Sequence, residues 1–311
     1  MIEPLQQIGY VALPKHDGAG GFDHAAVHAA SGQVYVAHTA NNTVDVFDPA
    51  SAEYLFSIPG LSGVAGVVAS AQAQLIITTN RSENTLAIFA PGPNAKVRKV
   101  PVGVRPNGLA YAHSRRLVLV ANVGDPALPS SHTLSMVKLD DGVVQYEIGV
   151  PGRTRWAVYD RDAQVFYVNI ADPAQIIVVD AQDPVGIART FSIPSVGPHG
   201  LDLDHATHRL FCACDEGTLV TLDALSGKIL GKNKLSGTPD VIFHNPERNH
   251  LYVAVGDPGV IDVFDTVTMR AMGTVVTEKG AHTLALAPAG DQVYAFLPET
   301  HRAAIYQVGA S

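Results

Sequence analysis

The chain repeats itself. Over 311 residues a unit of about 40 residues recurs, a period that points to solenoids and propellers before any other architecture. Each unit opens with a short apolar strand and a polar turn. A β-branched and aromatic strand follows, then a loop rich in Asn, Asp, Gly or Pro, and two further strands bring the chain back. In the first unit the strands are expected at Ala25–His28, Val34–His38, Thr43–Asp48 and Tyr54–Pro59. The second aligns as Gly66–Ala69, Leu75–Thr79, Thr85–Ala90 and Val97–Val102. Later units open at Gly108–Tyr111, Trp156–Tyr159, Gly200–Leu203, Val241–Phe243 and Thr283–Leu286, which makes seven.

The last unit runs out of chain after three strands, at Ile305–Val308. The segment Ile8–Pro14 reads like the fourth strands elsewhere, such as Leu55–Pro59 or Thr190–Pro194, and is expected to supply the missing one. The expected architecture is therefore all-β: a seven-bladed β-propeller of four-stranded antiparallel blades, one domain over residues 1–311, its last blade closed by the N-terminal strand. Closure of this kind removes the exposed edges that an open array would present.

The run Val34-Tyr35-Val36-Ala37-His38 through Thr43-Val44-Asp45-Val46-Phe47-Asp48 resembles the repeat of the YVTN-type β-propeller family. So does Leu251-Tyr252-Val253 followed by Val260–Asp265, and more loosely Leu75–Ile88. The resemblance covers essentially the whole chain and implies the fold. It implies no single activity, because the family and its lactonase and lyase relatives are functionally diverse. Trp156 is the only tryptophan, so the recurring Trp-Asp pair of WD40 propellers is absent.

Composition narrows the partners. The formal net charge is −8 with both signs interspersed; phosphate neutralisation needs clustered Lys and Arg, so nucleic acid is not an expected partner. Charged residues are only 16% and hydrophobic ones 47%, yet no apolar run is long enough to span a bilayer, so no membrane association is expected. Cys212 and Cys214 sit two apart on a strand, roughly 6.5–7 Å between Cα atoms, at or beyond the edge of disulfide geometry. They read as two small buried hydrophobes. Met1-Ile2-Glu3-Pro4 carries no charged n-region followed by an apolar h-region, which reads as cytoplasmic, or periplasmic if a leader has been removed.

In this architecture the start of each innermost strand and the loop between second and third strands share the channel mouth, where binding residues gather. Aligning the seven units gives one residue per blade there: His24, Ala65, Asn107, Arg155, His199, Asp240 and His282. The contexts Arg105-Pro106-Asn107, Gly197-Pro198-His199 and Thr238-Pro239-Asp240 agree, and proline places the polar residue at the strand's start by fixing φ. Blades five, six, seven and one are consecutive round a closed ring. His199, Asp240, His282 and His24 thus form an unbroken arc whose donors suit one divalent transition metal, zinc first, with iron, manganese or copper as alternatives. Such an ion acidifies water to a nucleophile near neutral pH. The competing reading is a solvated ring of hydrogen-bonding side chains.

Arg155 faces the arc and is placed to hold a carboxylate, phosphate or developing oxyanion; Arg153 widens that positive spot and Asn107 extends it. An Arg155–Asp240 pair would compete with metal ligation. Ala65 leaves a gap for substrate. Residues 122–133 form the longest second-to-third-strand loop, with Leu128 and His132 as substrate contacts. His38, Glu83, His132, Glu299 and His301 lie on comparable loops, and His38 ranks first among them as general acid or base. His113, His205, His208, His244 and His250 fall at turns on the opposite face and are expected to be exposed; His28 and His16 read as background. No Gly-x-Ser-x-Gly, phosphate-binding loop, dinucleotide fingerprint or His-Glu-x-x-His occurs. The leading expectation is a metal-dependent hydrolase of a small ester, lactone or phosphoester. A metal-assisted lyase and a non-enzymatic scaffold with a protein partner are the alternatives. Calcium-dependent gluconolactonase propellers resemble this chain in architecture only, since their sites are oxygen-rich.

Overall fold

Strands that alternate strictly bury one face, but the second and third strands here carry apolar residues on both faces, which calls for burial on both. The computed structural model, which describes residues 4–18 and 20–309, provides it. Seven four-stranded antiparallel sheets follow one another along the chain, forming a seven-bladed β-propeller. Each sheet is packed between two neighbours, so Val34–His38 and Val165–Ile170 are buried at every position. The outermost strands, such as Val143–Gly149, meet solvent and are mostly exposed. Core clusters accordingly straddle adjacent blades. One joins Leu119 and Met136 of blade three to Phe166 and Ile177 of blade four.

The seventh sheet takes its outer strand from the other end of the chain. Leu5–Ala12 pairs antiparallel with Arg302–Val308, Leu5 opposite Val308 and Ala12 opposite Arg302. This strand begins three residues before the expected Ile8. A register shift between Gln7 and Gly9 leaves Gln6, Gln7 and Ile8 all exposed and turns the buried residues from one neighbouring blade to the other, Leu5 against blade six and Val11 and Leu13 against blade one; Ile8 is 52% exposed. Met1, Ile2 and Glu3, which bear on the reading of a leader, lie outside the described residues. No helix among the described residues is long and apolar enough to cross a membrane.

Two local features position the channel mouth. In blades two through six the pairing of innermost and second strands shifts register within the first residues, for example between Pro106 and Leu109 and between Thr154 and Ala157. Such bulges re-aim a side chain, and here they fall on the ring position. The residue after it is glycine in blades two, three and five, because the next blade's backbone passes directly over it. A Cβ at Gly66, Gly108 or Gly200 would lie 2.4, 2.3 or 2.2 Å from the carbonyl oxygen of Asn107, Arg155 or Asp240. Gly108→Ala is therefore expected to cost about 1–3 kcal/mol by overpacking, read as a lower denaturant midpoint; an unchanged midpoint would show that the blades can part freely.

Candidate functional site at the channel mouth

The three ring histidines are each anchored through Nδ1. His24 Nδ1 lies 2.5 Å from Asp23 Oδ1, His199 Nδ1 2.7 Å from Asp215 Oδ1, and His282 Nδ1 2.8 Å from the Gly280 carbonyl oxygen. An oxygen acceptor at Nδ1 holds the proton there and leaves Nε2 as the outward donor, the arrangement that orients metal-ligating imidazoles. Nε2 of His199 and of His282 lie 3.2 and 3.9 Å from the two oxygens of Asp240. Burial pushes the Asp240 carboxyl up, but the charges of His199, His282 and His24 hold it well below the usual carboxylate range.

Arg155 does not pair with Asp240 but with Asp215, 3.0 Å away, and its Nη1 stands 2.9 Å from His199 Nε2. That nitrogen faces both a carboxylate that asks for a proton and a guanidinium that asks for a lone pair. Burial lowers the His199 pKa, and the neighbouring Asp240 and Asp215 reverse this and raise it to about 9.

The position of Ala65 is not open. Ala65 is fully buried, and Arg81, from the loop after the second strand of blade two, bridges the gap. Its guanidinium donates to Asp23 Oδ2 at 2.8 Å and to Asn107 Oδ1 at 2.6 Å. Burial depresses the Arg153 guanidinium, and so does its proximity to Arg155, Arg105 and Arg81. Four arginines thus gather on one side of the mouth of an acidic protein. His24 of blade one stacks on Trp156 of blade four, centroids 3.8 Å apart and planes within 6°. Since these blades are not adjacent, that contact spans the channel.

Sequence reasoning missed Asp23, Arg81, Asp215 and Trp156. A second column held part of the signal, because Arg81 and Asp215 directly follow the second strands that end at Asn80 and Cys214. Of the other expected residues, His38 is fully buried, its nitrogens engaged by Asp45 and His16. Leu128 is 57% exposed, and His132 Nδ1 lies 2.5 Å from the Val123 carbonyl oxygen. Cys212 and Cys214 are free and buried. None of the five histidines expected to be exposed is: His113, His205 and His208 are half-buried, while His244 packs against Phe211 and His250 against Tyr252, leaving them 9% and 3% exposed.

At the opposite end of the channel a cavity of about 650 Å³ is lined by Leu109, Tyr111, Trp156 and Tyr159. Beside it Asp160, Asp162 and His205 offer ligand atoms within 4.8 Å of one another, close enough to share a cation. Asp160 Oδ2 and His205 Nδ1 are buried without hydrogen-bond partners. His205, expected from the sequence to be exposed, is half-buried here, and the sequence carries no signal for Asp160 or Asp162.

Fold and mouth together define a propeller with a charged, histidine-rich channel opening. No family profile matches the chain. A stretch of 139 residues is 30% identical to the uncharacterized protein YncE of Salmonella typhimurium, and equally to that of Salmonella typhi. The match spans 43% of this chain and only 39% of the length of those relatives. It fits a YVTN-type propeller. Among solved structures, hydrazine synthase of Kuenenia stuttgartiensis superposes with a TM-score of 0.84 over 96% of this chain and 98% of that one, at 12% identity. That likeness concerns the fold alone.

Proposed function

We propose that the channel mouth is the active site of a metal-dependent hydrolase acting on a small ester, lactone or phosphoester, with His24, His199, Asp240 and His282 holding one divalent ion, zinc first. The observation that carries this reading is the common anchoring of the three imidazoles through Nδ1, with Asp240 facing two of their Nε2 atoms. Held there, such an ion would supply polarisation of a substrate oxygen and acidification of a bound water. The chain's own groups supply the rest. Arg155 and Arg153, with Asn107 beside them, bind an anionic substituent and steady developing negative charge. Asp23 and Asp215 keep the imidazoles in one tautomer.

Elemental analysis of untagged protein tests the ligand set. Wild type is expected to carry a transition metal that His24→Ala/His282→Ala lacks, and His282→Ala to lose more than about a hundredfold in kcat on any lactone, ester or phosphotriester that is turned over. Equal metal content in both proteins would remove the ring from consideration. One observation favours a lyase as the second reading. Arg155 stands against Nε2 of His199, which suits a histidine kept for proton transfer. In that case His199→Ala would abolish turnover while leaving metal content unchanged. No ring metal and no turnover in either protein would leave a binding scaffold.

A further inference from the structure

Blades four and five end their innermost strands on the same kind of turn and complete it differently. In blade five the strand Pro198–Asp204 ends at an aspartate whose Oδ1 accepts the backbone N–H groups of Ala206 and Thr207, at 3.0 and 3.3 Å. Its Oδ2 accepts from the Thr207 hydroxyl and, at 3.3 Å, from the Arg209 guanidinium. In blade four the strand Thr154–Asp160 ends likewise, and Asp160 Oδ1 accepts the N–H groups of Asp162 and Ala163 at 2.9 and 3.0 Å. Ala163 and Val165 stand where blade five has Thr207 and Arg209, and neither can donate from its side chain. Asp160 Oδ2 is left without a hydrogen-bond partner, on a side chain only 1% exposed. A carboxylate oxygen buried and bare in this way costs free energy that a partner would recover.

Two further donors stand around Asp160. Asp162 belongs to the same turn, and His205 comes from the corresponding turn of blade five. The three offer ligand atoms that all lie within 4.8 Å of one another. His205 Nδ1 is 3.8 Å from Asp160 Oδ1 and 3.9 Å from Asp162 Oδ2, too far for a hydrogen bond to either. That nitrogen, too, is buried without a partner. Arg161 Nε stands 4.0 Å from Asp162 Oδ1 with both side chains more than half exposed, so this pair neutralises little. A water would supply hydrogen bonds but no charge, and two carboxylates this close call for a cation.

We propose that Asp160, Asp162 and His205 bind one divalent transition-metal ion of the zinc class, which ties blade four to blade five at the far end of the channel. Two carboxylates with an imidazole form a donor set for such an ion, whereas calcium and magnesium take oxygen ligands alone. Zinc bonds of about 2.0–2.2 Å place tetrahedral donors roughly 3.4 Å apart. The spacings at His205 Nδ1 therefore have to close by about half an ångström, a movement the exposed Asp162 side chain can supply. Asp162 and His205 also line a cavity of about 500 Å³ together with Asp202 and Asp204, and a cleft so rich in carboxylates concentrates cations. The cluster shares no residue with His24, His199, Asp240 and His282, so it stands independently of the ring.

The test uses untagged, chelator-treated full-length protein titrated with zinc. Elemental content and thermal unfolding are measured in wild type, in Asp162→Asn/His205→Gln and in His24→Ala/His282→Ala. Asp160 is spared because its Oδ1 holds the turn. The ring variant is expected to retain one equivalent and a zinc-induced rise in Tm of about 5 °C, the size for a ligand at hundredfold excess over its Kd. The far-end variant is expected to lose that equivalent and that rise while keeping its far-ultraviolet circular dichroism and its metal-free Tm. A far-end variant that binds as much zinc as wild type overturns the site, as does a ring variant that binds none. An equal rise in Tm with magnesium would show an unselective acidic cluster and overturn it as well. If the ring variant matches wild type while the far-end variant binds no zinc, the ring assignment fails and the far-end site is supported.

Discussion

A chain lacking residues 4–13 is expected to be recovered as aggregate or soluble oligomer, without the cooperative unfolding of the intact propeller. The deletion removes the pairing of Leu5–Ala12 with Arg302–Val308 and leaves the latter as an edge strand. A flat, unpaired edge is a template for association with another chain. It also removes Leu5, Val11 and Leu13, all buried. Leu5 belongs to the cluster shared by blades six and seven, and Val11 and Leu13 to that shared by blades seven and one. Burial of such side chains is worth about 1.5–3 kcal/mol each, so the three together approach the whole stability of an ordinary domain, about 5–15 kcal/mol. Two point variants separate packing from mere length. Val11→Asp is expected to behave like the deletion, and Ile8→Asp, on the exposed side of the same strand, to be nearly neutral. Size-exclusion chromatography and thermal circular dichroism read both. A monomeric deletion variant with an unchanged Tm would mean that closure contributes little.

The architecture was legible because blade pairing is local: each strand bonds to its neighbour in sequence, so the period of the pattern carries the topology. Closure by an N-terminal strand was legible from the missing fourth strand, but its start was not, because the shift at Gln7 and Gly9 leaves Gln6, Gln7 and Ile8 exposed in succession and interrupts the alternation that marks a strand. The ring column was legible for a related reason, since X-Pro-polar openings repeat at the bulges that aim the residue. What those residues touch was not. Asp215 and Arg81 come from other loops, and Trp156 reaches His24 across the channel. His16 and His301 meet only because the chain's two ends meet. His244 and His250 sit at turns, where exposure is the default expectation. Neighbouring groups tuck them in: Asp202 of blade five accepts the backbone N–H of His244, and the Tyr252 hydroxyl meets His250 Nδ1 at 3.3 Å.

Metal-free protein, held in chelator, is expected to lose stability between pH 6.5 and 9. His199 has a folded pKa of about 9 against roughly 6.5 in an unfolded chain, so the folded state holds its proton more tightly. The resulting stabilisation is complete below pH 6.5 and is lost as the pH rises through 9. The difference corresponds to about 3 kcal/mol, an upper figure for a side chain that is 16% exposed. Asp240 and Asp23 work in the opposite sense. Burial raises both, but His199 beside Asp240, and Arg81 and His24 beside Asp23, depress them further. Their contribution is present above roughly pH 4 and is lost as acid protonates them. Because Asp240 and His199 stabilise each other, the acid and alkaline losses describe one interaction from its two ends and do not add. Maximum stability therefore lies at about pH 5–6. Urea midpoints at pH 6 and pH 9.5 test the alkaline limb. Wild type should fall markedly between them, and His199→Gln, which keeps a polar side chain but cannot hold the proton, should start lower and change little. A wild-type midpoint that is level across this range would show that His199 is neutral in the folded protein, with its Nε2 lone pair accepting from Arg155.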